Sequence, residues 1–257
     1  MAIICKEFYI GKYIYLTTQL EELPEAVFNR MGKYRCIALY TPNPETGKKK
    51  RSRITKKNPE YSKYKAIAIR RLHLKKLLKI TIANWEKDYR GDLEDIASHY
   101  KIIPNTDCVF NSEFYSRLKN NSNTYENNHK VMHEGIVMRS QFEAETATVL
   151  DELGIDYKYE VELRFQSGGR FYPDFGLDFS EYNRCGFLEA LGGLDNFQYV
   201  SNNAKKFDAY FNAGLYPNRD IAFIAGDKNY RPDHETMKRI IGVMADALAR
   251  QYVVRKD

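Results

Sequence analysis

The rhythm of apolar and polar positions changes several times along this 257-residue chain. Residues 7–16 (Glu-Phe-Tyr-Ile-Gly-Lys-Tyr-Ile-Tyr-Leu) and 34–41 are dense in aromatic and β-branched side chains and predict strands. Pro42-Asn43-Pro44-Glu45-Thr46-Gly47 is turn chemistry. A basic loop is expected over 48–59, then a long helix from Tyr61 to Trp85 whose apolar period is broken by Lys and Arg at several angles. Shorter helices are expected near 91–99 and 110–119.

Residues 120–130 (Asn-Asn-Ser-Asn-Thr-Tyr-Glu-Asn-Asn-His-Lys) are polar and without apolar period. They divide the chain into a basic N-terminal region (1–120), a linker (121–135) and a C-terminal α/β unit (136–257). In that unit a helix is expected over 138–153, closed by Gly154. Strands follow at 157–165, 170–177 and 185–191, then a helix over 197–213 and a buried-strand pattern at 220–225. Pro232-Asp233 opens a last helix with Met237, Ile240, Ile241, Met244 and Leu248 on its apolar face.

Two acids stand inside these apolar runs. Asp174 lies in Tyr172-Pro173-Asp174-Phe175, and Glu189 lies in Phe187-Leu188-Glu189-Ala190-Leu191-Gly192. A buried carboxylate is costly unless a cation or partner compensates it. At 100° per residue, Glu143 falls within the apolar arc of Phe142, Thr146, Ala147, Leu150 and Leu153, whereas Glu145 falls outside it. Glu143 is therefore expected to face Asp174 and Glu189. Three converging carboxylates would suit Mg²⁺ or Mn²⁺, hard cations that prefer oxygen ligands. On the later helix Val200, Ala204, Phe207 and Phe211 form the expected core stripe. Lys206 lies at its edge with Tyr199, Asn203 and Tyr210, and Lys205 points to solvent.

Charge adds a partner class. The net charge is +6, and fourteen Lys and Arg residues between Lys48 and Lys79 face a single acid, Glu60. Such a block attracts a polyanion. Lys48, Lys49, Lys50, Arg51, Arg53, Lys56 and Lys57 are the expected phosphate contacts, with Arg70 and Arg71 behind them. Cys5, Cys36, Cys108 and Cys185 are scattered without a metal-ligand pair, which favours free thiols in a reducing, cytoplasmic setting. No run is long and apolar enough for a membrane helix, and the start shows no signal-peptide pattern. Glu160 and Glu162 alternate with Tyr159, Val161 and Leu163 and read as a polar strand face. Asp178 and Asp195 read as loop or strand-end acids, and the five histidines, His129 among them, as surface or packing residues.

Arg139-Ser140-x-x-Glu143, Tyr172-Pro173-Asp174-Phe175, Glu189-Ala190-Leu191-Gly192 and Lys206-x-x-x-Tyr210 together resemble the PD-(D/E)XK nuclease superfamily. The likeness covers about residues 136–225. It implies an α/β fold, with a restriction-endonuclease-like mixed sheet flanked by helices in the C-terminal unit. Ahead of that unit would lie a basic α+β or mostly helical N-terminal region. It also implies Mg²⁺-dependent cleavage of phosphodiester bonds, in DNA rather than RNA. By that likeness Asp174, Glu189 and the Ala190 carbonyl would be metal ligands, and Glu143 would bind the metal directly or through water. Lys206 would stabilise the transition state or orient water, and Tyr210 would contact phosphate or support a ligand. The superfamily's usual lysine two residues after the second acid is here Leu191, and Lys206 stands as its replacement from the following helix.

A binding protein that keeps the fold without catalysis is the rival class, and the missing lysine favours it. A nuclease subunit of a mobile-element or defence complex is a third. Both a homodimer and a protein partner are compatible with the sequence.

Overall fold

The segment expected as the first strand is a helix, α1 (Lys6–Glu22). Its β-branched and aromatic residues are accommodated because tertiary burial overrides intrinsic preference. Phe8, Tyr9, Ile10, Lys12 and Leu16 are all buried, so the helix is covered on more than one side and carries no amphipathic period. The computed structural model describes residues 3–31, 34–44, 46–124, 130–164 and 169–257. Glu45 of the expected turn, residues 125–129 of the polar stretch with His129, and Phe165 at the end of the expected 157–165 strand lie outside the described residues.

After α1 come β1 (Glu25–Met31), β2 (Tyr34–Pro42) and β3 (Lys49–Ile54), an antiparallel three-stranded sheet. The basic stretch expected as a loop thus contains a strand. Its charges hide the signal, since only Ile54 of β3 is buried. One face of this sheet packs on α2 (Tyr61–Asp88), through Ala26, Ile37, Leu39 and Ile54 against Ala68, Tyr61, Tyr64 and Ile67. The N-terminal region is α+β.

Next in the chain are α3 (Leu93–Ser98), β4 (Tyr100–Ile102), α4 (Ser112–Arg117), β5 (Val131–His133) and β6 (Ile136–Met138). Then follow α5 (Gln141–Leu153), β7 (Tyr157–Tyr159), β8 (Leu163–Arg164), β9 (Arg170–Phe171), β10 (Phe175–Phe179) and β11 (Arg184–Leu191). Last come α6 (Phe197–Asn212), β12 (Ile221–Ala225), α7 (His234–Tyr252) and β13 (Val253–Arg255). The main sheet has the order β12-β11-β10-β7. β11 is parallel to β12 and antiparallel to β10, and β10 is antiparallel to β7.

Helices cover both faces of this mixed sheet. Phe175, Leu177 and Leu188 face a core shared with α5, α7 and α1. Cys185, Phe187 and Ile221 face a second core with α4 and with Tyr210 and Phe207 of α6. The first core is continuous across the stretch at 121–135, because Ile4, Phe8, Tyr9, Ile10 and Trp85 pack with Phe142, Leu150, Phe175 and Met244. β4 and β13 also pair across it. No helix among the described residues is long and apolar enough to cross a membrane. The four cysteines are free thiols, and Cys5, Cys36 and Cys185 are buried.

Candidate active site at the end of the mixed sheet

Strand register brings the two central acids together. Phe175 of β10 pairs with Leu188 of β11, so one step further along the ladder sets Asp174 opposite Glu189. Side chains alternate across a strand. Both acids therefore share the face of Cys185 and Phe187, toward α6. Asp174 stands one residue before β10 rather than within a strand running over 170–177, and its Oδ2 accepts from the Ala190 N–H at 2.8 Å. Its carboxyl lies close enough to Glu189 to share a hydrogen bond when one of them is protonated.

Glu189 is 1% exposed. Its Oε2 lies 2.7 Å from Lys206 Nζ, and its Oε1 accepts from the Tyr210 hydroxyl. Burial pushes its carboxyl up to about 8, against the pull of Lys206 and with the charge of Asp174 adding to the rise. Burial likewise raises Asp174, opposed by Lys206 and by the Ala190 N–H. Burial alone would lower Lys206, but Glu189 and Asp174 outweigh it and hold the ammonium above its usual value.

The helix that supplies Lys206 is turned relative to the expectation. Its inward face is Tyr199, Asn203, Lys206 and Tyr210, and Tyr210 is its buried residue. Of the expected core stripe, Val200, Ala204 and Phe211 are exposed, and only Phe207 packs inward, against Phe223. An unpaired carboxylate at Glu189 would cost more than three exposed apolar side chains, so pairing decides which face turns inward. Lys205 is exposed.

Glu143 approaches from the opposite face. Ser140 caps α5, accepting from the Glu143 N–H, while Glu143 Oε2 accepts from the Ser140 N–H at 3.0 Å, a capping box. The same oxygen accepts from the Arg139 N–H at 2.9 Å and from the Tyr159 hydroxyl at 2.7 Å. Burial, then the charge of Asp174, pushes Glu143 up to about 7. Among the described residues no three His, Cys, Asp or Glu side chains are grouped to hold a metal ion. The expected three-carboxylate convergence is therefore a pair, Asp174 and Glu189, with Glu143 tied into the helix cap beside it.

Glu160 is a neighbour that the sequence pattern misplaced. It is buried, not on a polar strand face, and it directly follows β7 with φ of 48°. Extending the β7–β10 register sets it opposite Asp174, and its N–H donates to the Asp174 carbonyl at 2.7 Å. Its Oε1 accepts from Arg139 Nε at 2.5 Å and from Asn123 Nδ2 at 2.6 Å. Asn121 and Ser122 donate to the carbonyls of Tyr159 and Glu160, so the start of the expected linker is docked against the site. The clue was the Asn-rich run itself, because carboxamides serve buried carboxylates and strand edges as well as loops.

The donor set fits a hard divalent cation. Burial first, then the neighbouring carboxyl charges, raises Asp174, Glu189 and Glu143 above ordinary carboxyl values, a cost that a bound cation would offset. Mg²⁺ is commonly held by one or two carboxylates plus water and substrate phosphate.

The basic residues divide into two groups. Lys48, Lys49, Lys50, Arg51, Arg53, Lys56 and Lys57 are exposed, and Arg70 is half-buried. Arg71 is a correction. It is buried, and its Nη1 donates to the carbonyls of Leu20 and Leu23 at 2.6 and 2.8 Å, tying the end of α1 to α2. Comparison with protein-family models, curated proteins and solved structures finds no match for this chain.

Proposed function

We propose that this chain is a metal-dependent endonuclease that hydrolyses phosphodiester bonds in nucleic acid, with DNA as substrate. The observation that carries the reading is the pairing of Asp174 with Glu189 across the β10–β11 ladder, under the ammonium of Lys206. The resemblance of the four motifs to PD-(D/E)XK nucleases supports it.

Bound Mg²⁺ or Mn²⁺ supplies charge neutralisation at the phosphoryl oxygens and a water acidified toward neutral pH. Asp174 and Glu189 would hold that ion, with the Ala190 carbonyl beside them and Glu143 acting directly or through water. Tyr210 fixes the orientation of Glu189 by donating to Oε1. Lys206 brings a preorganised positive charge to where the phosphate gains negative charge. Arg139 and Glu160 position the loop that carries Asp174.

Mn²⁺ titration by calorimetry tests the metal site. The wild type binds, Asp174→Ala does not, and equal binding by both would exclude the assigned ligands. A second reading, a nucleic-acid-binding protein without catalysis, is favoured by one feature. Both oxygens of Glu189 are already satisfied within the protein.

A further inference from the structure

Helix α6 leaves its apolar side open. Phe197, Val200, Ala204, Phe207 and Phe211 recur every three or four residues and fall within an arc of about 80°. Phe197 is 87% exposed, Phe211 48% and Val200 40%, and Ala204 is exposed between them. Phe207 marks the inner border of this arc, where it packs edge-on against Phe223 of β12, the outermost strand of the main sheet. Lys206 and Tyr210 turn the other way, toward Glu189. The side that serves the site and the side left bare belong to one helix.

We propose that this face joins two copies of the chain, with α6 crossing α6 of the second copy about a twofold axis at Ala204. An isologous contact requires a surface that fits itself. The seam meets that requirement, because Phe197 and Phe211 stand seven residues on either side of Ala204. A twofold axis there sets Phe197 of each copy against Phe211 of the other, and the small Ala204 side chains let the helices approach where they cross. Charge favours the same occupant. The chain carries +6 and its basic block repels a second copy, whereas α6 outside the site bears only Lys205 and Asp208, of opposite sign.

The exposed side chains of the seam amount to about 400 Å² of apolar surface per copy, at the 150–250 Å² that an aromatic side chain carries. With a polar rim of ordinary proportion the pair buries about 1,200 Å² in total, the lower bound of a specific interface. A dissociation constant in the micromolar range follows. These side chains hold copies together and contribute little to the fold of one copy. Pairing leaves Lys206 and Tyr210 facing their own sheet and ties two copies of the site into one particle. On the nuclease reading, one encounter can then cut both strands of a duplex.

Sedimentation equilibrium of the full chain in EDTA, from about 1 to about 100 µM, tests the interface without recourse to cleavage. The wild type is expected to pass from monomer to dimer across that range. Phe197→Lys weakens the dimer at least about tenfold, and Asn202→Lys, which adds the same charge at an exposed position outside the seam, changes it by less than about twofold. Circular dichroism checks that both variants remain folded. Ala204→Cys places a thiol on the axis, so oxidised glutathione links two chains of this variant and not of Asn202→Cys. Nor does it link the wild type, whose cysteines are buried or half-buried. A wild type that stays monomeric at about 100 µM, a dimer that Phe197→Lys leaves intact, or equal cross-linking of Ala204→Cys and Asn202→Cys would overturn the proposal. Failure of the nuclease reading would show instead as absent cleavage with metal and would leave these results unchanged.

Discussion

Lys206 Nζ lies 2.7 Å from Glu189 Oε2, joining α6 to the central strand β11. It sets which face of α6 turns inward, and the same ammonium offsets the charge of Asp174.

Burial of Glu189 and Glu143 makes stability depend on pH in a defined direction. Glu189 is raised to about 8 and Glu143 to about 7, both from 4.5. A carboxyl raised in the folded state stabilises it while protonated, so this contribution is complete below about pH 4.5 and is lost as pH rises through 7 to 8. In EDTA the unfolding midpoint therefore falls between about pH 5 and pH 8, and Glu189→Gln flattens that fall. A wild-type midpoint that rises over the same range would contradict the assignment.

The turned helix makes a second prediction. Tyr210→Phe leaves Glu189 Oε1 without its donor and costs about 1–3 kcal/mol. Val200→Ser and Phe211→Ser lie on the exposed face and change stability by less than about 0.5 kcal/mol each. Urea denaturation of the three variants measures this, and a reversed order would restore the apolar stripe to the core.

Helices α2, α5, α6 and α7 and the strands β11 and β12 were legible, because capping residues, Gly154 and buried-strand runs are local signals, whereas the strand expected over 170–177 is split into β9 and β10 around Asp174. The first helix was not, since residues buried on several sides lose the period that separates helix from strand. β3 was missed because five of its six residues are exposed and both of its faces are polar. The acids and the inward lysine were legible as polar residues out of place. Glu160 was not, because its role depends on a positive φ and on a partner 21 residues away.

Glu160 supplies a third test. Glu160→Gln removes the charge from the bond to Arg139 and weakens the anchor at Asn123. The expected loss is about 1.5–3 kcal/mol, measured by chemical denaturation. A change within about 0.5 kcal/mol would mean that the Arg139 contact carries no load.

Arg71 separates structure from binding. Arg71→Ala leaves the carbonyls of Leu20 and Leu23 unpartnered and destabilises the fold by about 2–4 kcal/mol, while duplex affinity of the folded protein stays within about twofold. Anisotropy beside thermal unfolding checks this, and a large affinity loss without destabilisation would return Arg71 to the interface.

The most direct test of the central claim is cleavage of supercoiled plasmid DNA with Mg²⁺, Mn²⁺ or EDTA, by the wild type beside Asp174→Ala and Lys206→Ala. The account predicts nicking or linearisation by the wild type with metal, none in EDTA, and at least about a 100-fold loss in each variant. Cleavage retained by Lys206→Ala would contradict the assigned role of the lysine. Absence of cleavage by the wild type on plasmid, linear, single-stranded and RNA substrates alike, with DNA binding intact, would replace the nuclease with a binding protein.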